Sequence, residues 1–261
     1  MRQIIDFSEV SPLITAHMKP GVITNNFVSA SEYRVEISSG SLYVHEWHGG
    51  LLIIRRRNVP NLLTFYLHDL DTSPGIALPL DTVTEIPQKP ADVSSVPAAV
   101  KYWSRLGFRP VFERIRLTRR PDLSADSNGC LHNVCPADPG DLPEILTLLH
   151  SSFDQRTGCL PDEATLRGDI ESGTVLCVKD QAILGILRVT ARTGTVEVRH
   201  LAVREDARSR GVARSLVGAF AERYGDNRCV VWMREGLAPA MKTYTAAGFA
   251  PDGRRTVVLV K

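Results

Sequence analysis

Six residues, Arg208-Ser-Arg-Gly-Val-Ala213, stand between a stretch that reads as a strand and one that reads as a helix. TVEVRHLAV, over 195–203, is rich in β-branched and apolar residues, as strands are. Beyond Gly211, the residues Val212, Leu216, Val217, Phe220 and Ala221 fall on one face of a helix. A helix start leaves several backbone N–H groups without intrahelical partners, and the aligned peptide dipoles add about half a positive charge there. A glycine lets the backbone approach a bound group closely, and the nearby arginines add cationic charge. The chemistry predicted by this spacing is the holding of a phosphate. Taken alone, the same residues also fit an ordinary polar loop with a glycine turn. Neither GxGxxG nor GxxxxGK[ST] occurs in the chain, which argues against a Rossmann dinucleotide site and a P-loop.

The elements that must position this turn alternate along the second half. LHNVCPAD predicts a short strand, 141–153 and 161–173 predict helices, and TVLCVKDQAILGILRVTA predicts a hairpin. After TVEVRHLAV and the helix beyond Gly211 come a strand at 228–233, a helix at 238–248 and a final strand, TVVLVK. The fold class expected is α/β (α+β), a mixed and mostly antiparallel sheet flanked by helices.

The first half reads as a worn copy of the second. AVKYWSRLGFRP (99–110) matches AMKTYTAAGFAP (240–251) at an offset of 141, and the hairpin LYVHEWHGGLLIIRR (42–56) matches VLCVKDQAILGILRV (175–189) at an offset of 133. The offset grows by eight between the two, so the first copy is shorter where the second has its Arg-Gly turn and helix. RRPDLSADSNG (119–129) is polar and rich in turn residues, as linkers are. The expected organisation is a first domain over 1–118, a linker over 119–130 and a second domain over 131–261.

Composition narrows the class. The formal net charge is +2 over 261 residues, which does not fit a basic nucleic-acid module. No apolar run reaches the roughly 18 residues of a membrane span, and MRQIIDFSEV lacks the apolar core of a signal peptide. The five cysteines, Cys130, Cys135, Cys159, Cys177 and Cys229, are odd in number and form no CxxC. This argues against a disulfide framework or a structural zinc site and for a reducing, cytoplasmic setting.

Arg208-x-x-Gly211-x-Ala213, after a strand ending Leu201-Ala-Val203, resembles the coenzyme A signature of the GNAT superfamily of N-acetyltransferases, Gln/Arg-x-x-Gly-x-Gly/Ala. Ala240-x-x-x-Tyr244-x-x-x-Gly248-Phe249 resembles the last helix of that family. The resemblance covers about 131–261, and with its worn first half the chain looks like a tandem GNAT protein. It implies that the backbone N–H groups of Ser209, Arg210, Gly211, Val212 and Ala213 hold a pyrophosphate, with charge from Arg208, Arg210 and Arg214. It implies main-chain bonds from Leu201 and Val203 to a pantetheine arm, an N–H near Leu201 or Ala202 on the thioester carbonyl, and a strand that splays with a bulge.

The reaction so implied is direct transfer of an acetyl group from acetyl-CoA to a primary amine in a ternary complex, with no metal. One group must take the amine proton and another must protonate the departing sulfur. The resemblance assigns the acid to Tyr244. Glu197, 14 residues before Gly211, resembles the glutamate base of the histone-acetylating branch. His200 and Glu235 are rivals, each with a structural or amine-binding reading. Cys177 and Cys229 lie inside apolar strands, and the route needs no cysteine nucleophile. The family often carries an asparagine where Leu237 stands, so one contact near Tyr244 is missing or replaced. In the first half, Trp103 stands in the place of Tyr244 and no cradle occurs, so that copy is expected to be degenerate. Arg55-Arg56-Arg57 there read as a solvated strand end or as a contact for an acidic acceptor. The expected acceptor is a small, amino-acid-like amine. The alternatives are a protein lysine or N-terminus, and a non-catalytic acyl-CoA sensor. Two fused copies could replace a dimer.

Overall fold

The computed structural model describes residues 1–57, 60–88, 95–121, 131–192 and 194–261. It divides into two compact units, Met1–Glu113 with Arg254–Lys261, and Arg114–Gly253.

In the first unit the chain runs β1 (Arg2–Gln3), α1 (Phe7–His17), β2 (Ile23–Thr24), α2 (Ala30–Ser38), β3 (Leu42–Trp47), β4 (Gly50–Arg55), β5 (Asn61–Leu67), β6 (Thr82–Gln88) and α3 (Ser95–Arg105), and enters β7 (Arg109–Arg119). Its strands lie in the order β1-β3-β4-β5-β6. One apolar cluster packs α3 on Leu52, Ile54, Phe65 and Ile86, and another packs α1 and α2 on Leu51, Ile53 and Tyr66. Residues 68–81, which join β5 to β6, contain no helix.

The second unit takes the rest of β7, then β8 (Cys135–Pro136), α4 (Leu142–Ser152), α5 (Glu163–Glu171), β9 (Val175–Lys179), β10 (Ile183–Arg192), β11 (Thr195–Val203), α6 (Val212–Arg223), β12 (Arg228–Arg234), α7 (Ala238–Ala246) and the start of β13 (Ala250–Val260). Its strands lie in the order β7-β12-β11-β10-β9-β8, antiparallel except for β11 and β12. The apolar stripe of α6, Val212, Leu216, Val217, Phe220 and Ala221, is buried throughout. It packs with α7 on one face of the sheet, while α4 and α5 cover the other. Among the described residues no helix is long and apolar enough to cross a membrane, and no three His, Cys, Asp or Glu side chains gather as a metal site.

Two strands divide their length between the units. Ile115 and Leu117 of β7 point into the core of the second unit, where the strand pairs with β12 from Arg114 to Arg119. Val257 and Leu259 of β13 point into the core of the first, where the strand pairs with β6 from Arg255 to Val260. Arg119, the first residue of the expected linker, ends β7, and residues 122–130 of that linker lie outside the described residues.

Candidate active site

The Arg-Gly turn is seated by a close approach of helix to sheet. A Cβ on Gly185 of β10 would lie 2.7 Å from a Val212 methyl and 2.9 Å from the Ala202 carbonyl oxygen. Glycine there lets the first turn of α6 settle on β10 and β11. After β11 the chain makes a single 3₁₀ turn at Glu205–Ala207, Arg208 is extended, and Ser209 and Gly211 both take left-handed backbone, φ 62° and 86°. Ser209 does so as a non-glycine residue, a conformation costing on the order of 1 kcal/mol and found most often at functional turns. Gly211 is the N-cap of α6 and no side chain caps the helix. The first intrahelical bond runs from Ser215 N–H to the Gly211 carbonyl at 2.9 Å, so the earlier N–H groups have no intrahelical acceptor. Arg208, Ser209, Arg210 and Arg214 are exposed, Gly211 and Ala213 half-buried, and Val212 buried.

A gap in the sheet opens beside this turn. β11 and β12 pair in parallel only from Thr195–Arg228 to Val198–Val231, although both strands continue. At the same point β10 and β11 shift register: Val189 faces Val198 and Arg188 faces His200, which leaves Arg199 as an extra residue. This bulge reverses the phase of the strand. Before it, Val196 and Val198 point toward α6 and α7; after it, Leu201 and Val203 do. Ala202 joins the α4–α5 cluster instead. Arg204 N–H donates to the Leu184 carbonyl of β10 at 2.9 Å. By strand alternation the N–H of Ala202 also turns toward β10, whereas the main-chain groups of Leu201 and Val203 face the gap. Of the two amides expected near a thioester, that of Leu201 faces the gap and that of Ala202 faces β10.

Tyr244 lies on α7 with only 3% of its surface exposed, its ring edge-on to Phe249 at 5.5 Å. Burial pushes its phenol well above the usual tyrosine range. Its hydroxyl has no hydrogen-bond partner among the described residues. Leu237 is the N-cap of α7 and makes no side-chain cap, a loss worth about 1 kcal/mol relative to an asparagine. Glu197 accepts a hydrogen bond from Arg199 at 2.8 Å; Glu197 is half-buried and Arg199 exposed, at the bulge where the gap begins. His200 is buried against Phe153, and its Nε2 donates to the Gly158 carbonyl at 2.9 Å. Burial, with Arg188, Arg199 and Arg114 nearby, pushes its imidazole down to about 4. His200 thus braces the α4–α5 loop as a neutral ring. Glu235 is exposed just beyond β12. Burial pushes the Cys177 thiol up to about 12 and raises that of Cys229, which keeps both protonated.

The first unit keeps a related gap and fills it from its own chain. β5 and β6 pair in parallel only at Asn61–Thr82 and Leu62–Val83. At the hairpin offset of 133, Ile54–Leu63 and Leu52–Phe65 correspond to Leu187–Leu201 and Gly185–Val203, so Leu63 and Phe65 hold the places of Leu201 and Val203. The Phe65 N–H donates to Asn25 Oδ1 at 2.8 Å. Asn25 Nδ2 donates to the Leu63 carbonyl and to Thr84 Oγ1, each at 3.0 Å. Asn25 follows β2, which pairs with β5 at Leu67 and Tyr66. Nothing in the sequence around Asn25 singled it out, since an isolated asparagine in a loop carries no periodic signal. Trp103 is fully buried against Phe65. Of the arginine run, Arg57 pairs with Glu36 at 2.6 Å and Arg56 stacks over Tyr43.

Residues 142–249 match the model of the acetyltransferase (GNAT) family. No curated protein sequence matches the chain. Among solved structures, the chain is similar to a GCN5-related N-acetyltransferase from Sphaerobacter thermophilus at 16% identity and a TM-score of 0.60, covering 100% of this chain and 94% of that one. It is similar to a Drosophila protein at 12% identity and 0.63, covering 100% and 98%. An acetyltransferase of the GNAT family from Colwellia psychrerythraea gives 12% and 0.57, covering 99% and 98%. At these identities the likeness is one of fold, and it takes in both units.

Proposed function

We propose, from the match of residues 142–249 to the acetyltransferase (GNAT) family model, that the protein is an acetyl-CoA-dependent N-acetyltransferase for a small primary amine. The observation that carries this reading is the parting of β11 from β12 directly beside the Gly211 turn. An extended arm laid in the gap would meet the N–H and C=O groups of Leu201 and Val203, as an added strand meets a sheet edge. The turn from Arg208 to Arg214 would take the pyrophosphate on backbone N–H groups and guanidinium charge. When bound, acetyl-CoA supplies an activated thioester. The Leu201 N–H would donate to its carbonyl oxygen, and Tyr244 would supply the proton to the departing sulfur.

The Glu197–Arg199 pair supports an amino-acid-like acceptor. Its carboxylate suits an ammonium group and its guanidinium suits a carboxylate, so one zwitterion satisfies both charges at the mouth of the gap. A protein lysine side chain would satisfy only one. Lysate fed labelled acetyl-CoA and the protein, then separated into small molecules and protein, distinguishes the two; label in the protein fraction would favour a lysine or N-terminus.

Calorimetry of the full chain with coenzyme A is expected to give one site per chain. The second unit has the open gap and the turn, whereas Asn25 occupies the corresponding backbone groups of the first. A stoichiometry near two would show that the first unit is not degenerate, and no binding at all would sink the acyl-CoA reading.

As base, Glu197 takes the proton from an ammonium that is charged at neutral pH. Glu197→Gln should then lower the rate most near neutral pH and recover as pH rises, because the free amine needs no base. A loss of the same size at every pH would assign Glu197 to acceptor positioning.

A further inference from the structure

The segment just ahead of β8 lies against the start of α6. The fully buried Ser215 hydroxyl accepts the N–H of Leu131 at 3.1 Å and of His132 at 3.3 Å. Leu131 covers Gly211, where an added Cβ would come within 2.8 Å of its Cδ1. His132 Nε2 lies 2.8 Å from the Arg210 carbonyl oxygen. A carbonyl can only accept, so Nε2 carries the hydrogen.

That single bond fixes more than a loop. In a trans peptide the C=O and the following N–H point in opposite directions. With the Arg210 carbonyl held toward His132, the Gly211 N–H is turned to the other side. The peptide it belongs to lies between Arg210 and the left-handed Gly211, φ 86°, and glycine backbone rotates with little steric resistance. Without a partner for the carbonyl, this peptide has a second orientation in which the oxygen, not the N–H, faces an incoming anion.

We propose that His132 is a positioning residue for the anion-binding turn, holding the Arg210–Gly211 peptide with its N–H toward the pyrophosphate of the acyl donor. The proposal rests on the acyl-CoA reading, which is carried by the family match and the gap between β11 and β12 rather than by the helix start alone. It predicts that His132 acts on the pyrophosphate and not on the thioester or the acceptor.

The test uses the full chain with two donors, acetyl-CoA and acetylpantetheine, which lacks the pyrophosphate. His132→Ala is expected to weaken coenzyme A binding about ten-fold, the effect of one lost hydrogen bond near a charged group. KM for acetyl-CoA should rise by a similar factor with kcat unchanged, and KM for acetylpantetheine should stay at the wild-type value. His132→Gln, which can return an N–H to the Arg210 carbonyl, should restore most of the affinity. Equal weakening toward both donors would overturn the proposal by making His132 a general structural support. So would unchanged coenzyme A affinity in His132→Ala, or failure of Gln to rescue while its unfolding midpoint matches wild type. A wild-type protein that binds no coenzyme A fails earlier, in the titration already described, and overturns the acyl-CoA reading itself.

Discussion

Tyr244→Phe is expected to lower turnover by at least about ten-fold while acetyl-CoA binds nearly as well as to wild type, general-acid loss costing on the order of 10²–10⁴ in rate. The phenol is suited to the task because burial raises its pKa, so it keeps its proton at neutral and mildly alkaline pH until a thiolate departs. The substitution is clean for two reasons. The ring stays, with its edge-on contact to Phe249 and its place in the cluster with α6. The hydroxyl serves no other residue among those described, so its removal strands no buried donor or acceptor, and the unfolding midpoint should not move. The measurement is single-turnover acetyl transfer, with binding followed separately by calorimetry. A rate change under about two-fold in a chemistry-limited assay would show that water or another group protonates the sulfur, and Tyr244 would then be a packing residue.

Gly211→Glu should abolish coenzyme A binding, with affinity reduced by at least about a hundred-fold. Three costs act together. A left-handed backbone costs a non-glycine residue about 1–2 kcal/mol, and φ at Gly211 is 86°. The new Cβ would press on Leu131 Cδ1 at 2.8 Å. A carboxylate would then stand at a helix start that favours anions and would repel the pyrophosphate it competes with. Gly211→Ala carries the first two costs without the charge, so it should lose part of the affinity and part of the stability. The gap between the two variants should narrow as salt is added, because the third cost is electrostatic. If Gly211→Glu binds coenzyme A within a few-fold of wild type, the cradle lies elsewhere in the chain.

The chain itself announced the parts whose cause is local. The strand at 195–203 and the helix after Gly211 were legible because a β-branched run and a 3.6-residue apolar stripe each declare their period. The glycine was legible as a point of close backbone approach because it carries no side chain, while its left-handed backbone as N-cap of α6 came with the structure. The shortened region of the first half was legible because an eight-residue change in offset lies between two matching stretches, and residues 68–81 contain no helix.

What the tertiary structure alone decided is everything that depends on which partner a locally uncommitted group meets. β7 alternates with a period of two and β13 ends in a continuous apolar run, and either pattern fits beside either sheet, so nothing local says that β7 pairs with β12 or β13 with β6. The family resemblance implied a bulge in this strand, but its place at Arg199 has no marker in a run of β-formers; there it turns Leu201 and Val203 toward α6 and buries His200 on the opposite face. Glu197 was legible as the candidate base from its spacing to Gly211, but its ion pair with Arg199 is seen only in the structure. Asn25 fills the gap of the first unit from 40 residues before Phe65, and His132 reaches the Arg210 carbonyl from 78 residues before it. Such bonds follow from the closure of long loops around a packed core, and sequence periodicity records only what a residue's near neighbours require.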